Sequence, residues 1–358
     1  MRLAFYAPLK PPNHANPSGD RAMARGLLAA LQGIGAEVTL ASVLRSRDGS
    51  GDPAIQRALI TEAGGEIARL IPEGRAAGWQ CWLTYHNYYK APDLIGPAVA
   101  AALDIPYLLV EASRAQKRLI GPWANFARAA EAACDAARVI FYVTGHDAET
   151  LQRDAPEGQA LIHLRPFLDR SDLPPDTTGE GGLLSVGMMR PGDKLASYRI
   201  IAETLALLPP HLRDLRIIGD GAARPKVEAL MAPFGGAVRF LGALDSDAIA
   251  MQYRRATAFF WPGVNEAFGM AYLEAQAHGL PVIVQDRPGV RDVLAPEPRP
   301  DPAAGPAALA AQIAALSEAP DLRRHAGARA RAHIAAHHLR DSAETTLKQG
   351  LALCGVLS

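Results

Sequence analysis

Residues 265–284 read NEAFGMAYLEAQAHGLPVIV, a stretch that passes from a loop into a helix and then into a strand. From Gly269 to about Ala277 the spacing of apolar residues is helical, with Leu273 and Ala277 on one face. The apolar run PVIVQ that begins at Pro281 is typical of a buried strand. A helix that leads directly into such a strand is the building unit of a parallel sheet, so the stretch predicts an α/β protein.

The same alternation of apolar runs and helical segments continues on both sides of this stretch. Before residue 169 the predicted strands are RLAFYA, EVTLASV, WQCWLTY, PYLLVEA and RVIFYV. After residue 183 they are LLSVGM, LRIIG, VRFLG, TAFFW and PVIVQ. The first strand is followed by a predicted helix over residues 18–33, with Ser18 as its N-cap. We therefore predict two Rossmann-like, doubly wound α/β domains.

A polar stretch marks the boundary between the two halves. Residues 169–183 contain DRSDLPPDTTGEGG, which is rich in Pro and Gly and predicts a linker. It separates an N-terminal domain of residues 1–168 from a C-terminal domain of residues 184–336. A last helix within residues 337–358 is hypothesised to pack back on the N-terminal domain.

Composition disfavours one class of function, nucleic-acid binding. The 358 residues are 49% hydrophobic and 21% charged, which is ordinary for a globular enzyme of about two domains. The 37 basic and 37 acidic side chains give no net charge, so we expect no nucleic-acid partner.

Cysteines and the N-terminus indicate the compartment. Cys81, Cys134 and Cys354 are far apart and show neither zinc-ligand spacing nor a disulfide framework. Lys10 and two prolines follow the N-terminus too early for a signal peptide, and no apolar run reaches the roughly 20 residues that span a bilayer. We predict a cytoplasmic protein.

Glu266 and Glu274 are the first candidate site residues. If the eight positions between them were helical, the span would be about 12 Å, at about 1.5 Å per residue. The carboxyl groups of glycosidases lie roughly 5 to 9.5 Å apart, so the spacing disfavours a hydrolytic pair. A helix start near Gly269 favours phosphate, and carboxylates on either side of it bind hydroxyls, which suits a sugar, a diphosphate and a ribose in that order. The alternative remains that Glu266 is a favourable acid near a helix start and Glu274 a solvated helix residue.

Four further stretches occur in the order found in one enzyme family. They are LLSVGMMRPGDK, LRIIGDGAARPKVEAL, VRFLGALDSDAIAMQYRRATAFFWPG and RPGVRDVL. With the opening stretch they resemble the retaining GT-B glycosyltransferases of family 4, whose signature is E-x7-E. The resemblance is strong over residues 181–294 and looser over 1–165. It implies two Rossmann-like domains facing a cleft, and transfer of a hexose from a nucleoside diphosphate sugar to a hydroxyl acceptor.

The resemblance implies roles for the signature residues. Glu266 would hold donor-sugar hydroxyls near the reacting carbon, and Glu274 would bind the ribose diol. The backbone of Phe268, Gly269 and Met270 would donate to the sugar and the diphosphate.

The family also carries an arginine and a lysine that neutralise the diphosphate. Lys194 matches the lysine. Arg190 is the nearest arginine but is displaced from the family pattern, because Met188 and Met189 follow Gly187. The alternative for both side chains is a solvated loop charge.

Two N-terminal positions complete the expected site. His86, at the end of a predicted strand, resembles a family histidine that reaches the donor sugar, with a structural or surface histidine as the alternative. The loop PLKPPNHANPSGDRA resembles the family's acceptor-facing loop, where Gly19 would contact acceptor or phosphate. The family often has two glycines there, whereas this chain has Gly19 followed by Asp20.

No metal and no cofactor is expected. Asp245-Ser246-Asp247 is a D-x-D, but it stands where a helix begins, and N-capping explains it better. No G-x-G-x-x-G fingerprint occurs, which disfavours NAD chemistry. Fixed cations and helix N-termini can stabilise a departing diphosphate instead.

The acceptor is left open as a sugar, a glycan, a lipid-linked molecule or a small molecule. Residues 114–128, RAQKRLIGPWANFAR, mix basic and apolar residues and raise the hypothesis of peripheral contact with the inner face of the membrane. The alternative is a packed helix with a solvated face. Two rival functions also remain: a nucleotide-sugar epimerase of the same fold, and a non-catalytic two-lobed sugar-binding protein.

Overall fold

A computed structural model describes residues 1–15 and 18–357 of the chain. They form two compact units: unit 1 comprises Met1–Asp169 and the segment from Arg340 onward, and unit 2 comprises Arg170–Leu339. Asn16 and Pro17, in the loop predicted to face the acceptor, lie outside the described residues.

Unit 1 is built on a six-stranded parallel sheet. Its strands are β1 (Arg2–Tyr6), β2 (Glu37–Ser42), β3 (Cys81–Asn87), β4 (Tyr107–Ala112), β5 (Val139–Tyr142) and β6 (Ala160–His163). They lie in the order β2-β1-β3-β4-β5-β6, so the order reverses between β1 and β3. The interior strands are almost wholly buried because helices cover both faces of a parallel sheet.

Helices connect these strands. They are α1 (Gly19–Gly33), α2 (Pro53–Ala77), α3 (Gly96–Leu103), α4 (Ala124–Ala136) and α5 (Gly145–Arg153). Ser18 caps α1 as predicted, since its hydroxyl accepts a hydrogen bond from the Arg21 N–H at 3.2 Å.

Unit 2 repeats the plan with five parallel strands. They are β7 (Leu183–Val186), β8 (Leu215–Ile218), β9 (Val238–Gly242), β10 (Ala258–Phe260) and β11 (Val282–Ile283), in the order β11-β10-β7-β8-β9. Its helices are α6 (Asp193–Leu207), α7 (Arg224–Met231), α8 (Ser246–Arg255), α9 (Met270–Ala277), α10 (Gly305–Glu318) and α11 (Pro320–His337). The predicted fold class, α/β with two parallel-sheet Rossmann-like domains, is confirmed.

The last helix, α12 (Arg340–Leu353), is part of unit 1. A Cβ at Gly350 would lie 2.2 Å from the Phe141 ring, so a glycine is needed where α12 meets β5. Arg340 fixes the start of α12 through a 2.7 Å hydrogen bond from its Nε to Asp169.

The segment predicted as a linker divides between the two units. Asp169 belongs to unit 1, and the residues from Arg170 onward belong to unit 2. The Thr177 N–H donates to the His278 carbonyl at 2.8 Å, and the Thr178 N–H donates to the Arg254 carbonyl at 2.7 Å. Most of this irregular segment is therefore a hydrogen-bonded part of unit 2.

Strand β6 was absent from the predicted elements. It lies at the edge of its sheet, and its four residues are only half-buried. A short edge strand lacks the continuous apolar run that identified the others. Within residues 1–15 and 18–357, no helix has the length and apolarity that crossing a bilayer requires.

Candidate active site

The carboxyl edge of the unit 2 sheet carries the main cluster of candidate residues. The strand order reverses between β7 and β10, and ligands of open α/β sheets bind outside the carboxyl ends of the strands at such a reversal. The loop after β7 leads to α6, and the loop after β10 leads to α9. Both loops therefore end in a helix start at this edge.

The loop after β7 is held by its backbone. The Tyr198 hydroxyl donates to the Gly187 carbonyl at 2.8 Å, and the Met189 N–H donates to the Asp220 carbonyl at 2.9 Å. Gly192 is the N-cap of α6 with a φ of 82°, and no side chain caps the helix start. The first N–H groups of α6 are thus not used by a capping side chain, and Lys194 lies in the first turn.

Lys194 and Glu266 meet directly across this edge. The Lys194 ammonium donates to Glu266 Oε1, and the Trp261 indole N–H donates to the same oxygen at 2.7 Å. The ammonium also lies 5.2 Å from the centre of the Trp261 ring, within cation–π distance. Tyr198 packs edge-on against Trp261 at 5.1 Å and fixes the indole. Glu266 is therefore held in one orientation by two donors.

The loop between β10 and α9 is irregular. Gly263, Asn265 and Gly269 all have positive φ, at 79°, 49° and 76°. Only the last five of the nine residues from Glu266 to Glu274 are helical, because α9 begins at Met270. The span of about 12 Å expected from a helix over this whole stretch is therefore not supported.

The helix α9 starts where the sequence predicted a helix start, directly after Gly269. Gly269 is its N-cap in the left-handed region, and a Cβ there would lie 2.7 Å from the Tyr272 ring, so glycine is required. No side chain caps this helix either. Phe268 is buried just before it and anchors the loop. The structure thus places Phe268, Gly269 and Met270 at a helix start that no side chain caps.

Glu274 lies one turn into α9 and is partly buried. The Tyr253 hydroxyl, from α8, donates to Glu274 Oε2 at 3.0 Å. Burial raises the pKa of the Glu274 carboxyl above its ordinary value, and the hydrogen bond from Tyr253 opposes this shift. The alternative of a solvated helix residue is therefore wrong for Glu274.

Arg190 lies in the same loop as Lys194 but differs in its surroundings. Its side chain is exposed, while its backbone is fixed by hydrogen bonds with Met188 and Leu195. The structure brings Lys194 and Glu266 together, and it does not bring the Arg190 guanidinium into their hydrogen-bonded cluster.

In unit 1, His86 lies at the carboxyl end of β3. Its Nδ1 is 3.5 Å from Glu111 Oε1, on β4, and 3.9 Å from Asp20 Oδ1, in the first turn of α1. Gly19, the first residue of α1, is exposed beside Asp20. The structure thus brings His86, Glu111 and the start of α1 close together.

Trp261, Tyr253 and Glu111 were not predicted as site residues. For Trp261 and Glu111 the sequence did contain a signal, because both come at the carboxyl ends of predicted strands, as His86 does. Trp261 was counted as the end of an apolar strand, and Tyr253 was quoted only as part of a longer stretch.

The D-x-D motif acts as a helix cap. The Asp245 side chain accepts a hydrogen bond from the Ala248 N–H at 2.8 Å at the start of α8. This confirms the N-cap interpretation of Asp245.

The basic stretch 114–128 is partly internal. Arg114 is buried and pairs with Glu131 at 2.7 Å and with Asp135 at 2.6 Å, and Phe126 lies in the core. Neither side chain is available to a lipid surface, so membrane contact stays a hypothesis that rests on the remaining residues of the stretch.

Comparison with known proteins agrees with this architecture. Residues 202–333 match the family model described as Glycosyl transferases group 1. The GDP-mannose-dependent alpha-mannosyltransferase of Mycolicibacterium smegmatis is 38% identical over 103 residues, which cover 29% of this chain and 26% of that protein. The D-inositol 3-phosphate glycosyltransferase of Streptomyces griseus is 28% identical over 201 residues, covering 50% of this chain and 39% of that protein. The chain thus spans less than half the length of these relatives.

Solved structures resemble the whole chain. Sucrose-phosphate synthase from Thermosynechococcus elongatus has a TM-score of 0.75 at 16% identity and 98% coverage of both chains. Anabaena HepE in complex with UDP has a TM-score of 0.72 at 14% identity, covering 98% of this chain and 100% of that chain. At this identity the likeness shows the fold, which is that of GT-B glycosyltransferases.

Proposed function

We propose that the chain is a retaining glycosyltransferase that moves a hexose from a nucleoside diphosphate sugar to a hydroxyl acceptor without a metal ion. The observation that carries the proposal is the switch point of unit 2, where two helix starts without capping side chains accompany the Lys194–Glu266 pair. The group 1 match over residues 202–333 supports the transferase class.

The donor is proposed to lie along α9. Glu266, held by Trp261 and Lys194, accepts hydrogen bonds from sugar hydroxyls. The amides at Gly269 and Met270 bind the diphosphate, and Glu274 accepts hydrogen bonds from the ribose diol. Ribose hydroxyls at Glu274 would satisfy a carboxylate whose charge is now destabilised by burial.

Lys194 and Arg190 are proposed to act on the leaving group. The bond between the anomeric carbon and the diphosphate oxygen breaks, and negative charge builds on that oxygen. The Lys194 ammonium and the helix starts stabilise this charge, with Arg190 able to swing in from its exposed loop. The new bond forms to the acceptor oxygen on the same face of the sugar, and the acceptor proton passes to the departing phosphate. His86 and Gly19 are proposed to contribute from unit 1, which we assign to the acceptor.

A thermal-shift panel of UDP, GDP and ADP and their common sugar conjugates tests donor binding. A ligand at about 100 times its Kd stabilises the folded chain by about 2.7 kcal/mol. For units of this size, that predicts a rise in Tm of roughly 5 to 10 °C for one nucleoside diphosphate. Inorganic pyrophosphate and free sugars are the controls. If only free sugars raise Tm, the chain is a sugar-binding protein, and if donor is converted without an acceptor, it is an epimerase.

Chelation tests metal independence. With the donor that the panel identifies, excess EDTA is expected to leave the release of nucleoside diphosphate within about twofold of the untreated rate, because cations and amides of the chain stabilise the leaving group. The control is the same reaction with added Mg²⁺. Loss of turnover in EDTA and its recovery with Mg²⁺ would show that a metal takes this role.

A further inference from the structure

The carboxyl edge of the unit 1 sheet carries a second cluster. The strand order reverses between β1 and β3, which marks this edge as a ligand position in an open parallel sheet. His86 at the end of β3, Glu111 near the end of β4 and Asp20 in the first turn of α1 all meet there. One imidazole and two carboxylates, each from a different element, therefore lie close together at this edge.

The backbone at this cluster is strained. His86 has a φ of 70° and Glu111 a φ of 57°, values that residues with a side chain rarely adopt. Each such residue costs on the order of 1–3 kcal/mol and persists where the surrounding structure enforces it, which is most often at ligand sites. Here the two strained residues are neighbours across β3 and β4, with Nδ1 and Oε1 3.5 Å apart.

Polar atoms in the cluster lack partners. Glu111 exposes only 8% of its surface, yet its Oε2 has no partner at hydrogen-bond geometry among the described residues. The Tyr85 hydroxyl and His86 Nδ1 also lack a partner at hydrogen-bond geometry within the described part of the chain, but both lie beside Glu111: Tyr85 lowers the pKa of its carboxyl, and Nδ1 is 3.5 Å from Oε1. An unpaired buried polar group costs about 1–3 kcal/mol, so the buried Glu111 oxygen without a partner indicates a ligand that donates a hydrogen bond to it.

The charge of the cluster decides what that ligand can be. Burial raises the pKa of the Glu111 carboxyl, His86 opposes the shift, and the carboxylates of Asp20 and Asp147 raise it further. Arg47 lowers the pKa of Tyr88, whose ring packs against His86. A phosphate here would face carboxylates, whereas hydroxyl or ammonium hydrogens would satisfy them.

We propose that Glu111, His86 and Asp20 form an acceptor subsite that binds the hydrogen-bond-donating groups of a neutral or amino sugar and discriminates against phosphate. This rests on the proposed function, since it assigns unit 1 to the acceptor. It also explains the sequence Gly19-Asp20: an acid at the start of α1 turns a helix end that would attract an anion into one that repels it.

Titration of the full chain, labelled at its histidines and saturated with the nucleoside diphosphate from the donor panel, tests the subsite. The probes are methyl α-D-glucopyranoside, glucosamine and glucose 6-phosphate, and the His86 NMR signal is assigned with His86→Asn. We expect the two uncharged or cationic probes to shift the His86 signal, with glucose 6-phosphate binding at least about tenfold more weakly because of like-charge repulsion. Glu111→Gln is expected to lower the affinity for the first two probes about tenfold. The difference between their affinities and that for glucose 6-phosphate should therefore become smaller.

Matched variants make each outcome decisive. Glu157→Gln changes an exposed acid of the same unit and is expected to leave all three titrations unchanged. Asp20→Asn, at a half-exposed position, tests the charge effect should Glu111→Gln fail to fold. The proposal is overturned if glucose 6-phosphate binds at His86 as tightly as the other probes, if Glu111→Gln folds and binds like the native chain, or if no probe shifts His86. Failure of the donor proposal is a separate result, because there no nucleoside diphosphate raises Tm.

Discussion

Replacing Glu266 with Gln is expected to lower turnover by a factor of about 100 to 1,000, equivalent to roughly 3–4 kcal/mol of transition-state stabilisation. The substitution keeps an oxygen that can accept from the Trp261 indole, so the loop keeps its main anchor. It removes the charge that holds sugar hydroxyls near the developing positive charge at the anomeric carbon. The rate of nucleoside diphosphate release from the donor measures the effect.

Binding of the nucleoside diphosphate alone should respond differently to Glu266→Gln. Lys194 pairs with Glu266, and loss of that carboxylate frees the ammonium for the diphosphate. Calorimetry is therefore expected to show equal or tighter binding of the nucleoside diphosphate despite the loss of turnover. Glu203→Gln, at an exposed position of α6, is the matched control and should keep the native rate. Near-native turnover in Glu266→Gln would remove the sugar-end role of Glu266.

Local patterns predicted the elements of the site, but not its long-range contacts. The apolar spacing around Leu273 placed Glu274 in a helix and Glu266 in the loop before it, and both placements are confirmed. The pairing of Lys194 with Glu266 joins residues 72 positions apart, so it depends on the packing of α6 against the loop after β10. No periodicity within one element contains that information.

The irregular backbone conformations around the site were the second feature that the sequence did not predict. Gly263 and Gly269 signalled turns, but nothing in the sequence signalled the positive φ of Asn265. In unit 1, likewise, the positive φ values of His86 and Glu111 are properties of the folded sheet edge that strand propensity cannot show.

Substituting Glu274 by Gln is expected to lower the affinity for the nucleoside diphosphate without lowering the stability of the unbound chain. The buried carboxylate of Glu274 has a raised pKa, so its ionised form destabilises the folded chain above that pKa, and this penalty disappears as the pH falls below it. Gln removes the charge but keeps the shape, so the Tm of the unbound variant at neutral pH should equal or exceed that of the native chain. Affinity for the nucleoside diphosphate should fall about 10- to 100-fold, because charge-assisted hydrogen bonds to the ribose diol are lost.

The raised pKa of the Glu274 carboxyl also predicts how the affinity for the nucleoside diphosphate depends on pH. Ribose hydroxyls need the ionised carboxylate as acceptor, so affinity for the nucleoside diphosphate should weaken on acidification at a higher pH than an ordinary glutamate would cause. Glu274→Gln should remove that component of the pH dependence. Tyr253→Phe deletes the hydrogen bond that favours the ionised form and should move the transition to still higher pH. The affinity is measured by calorimetric titration at several pH values. If its pH dependence is the same for the native chain and Glu274→Gln, the ribose lies elsewhere, because a carboxylate that binds the diol cannot lose its charge without changing the affinity.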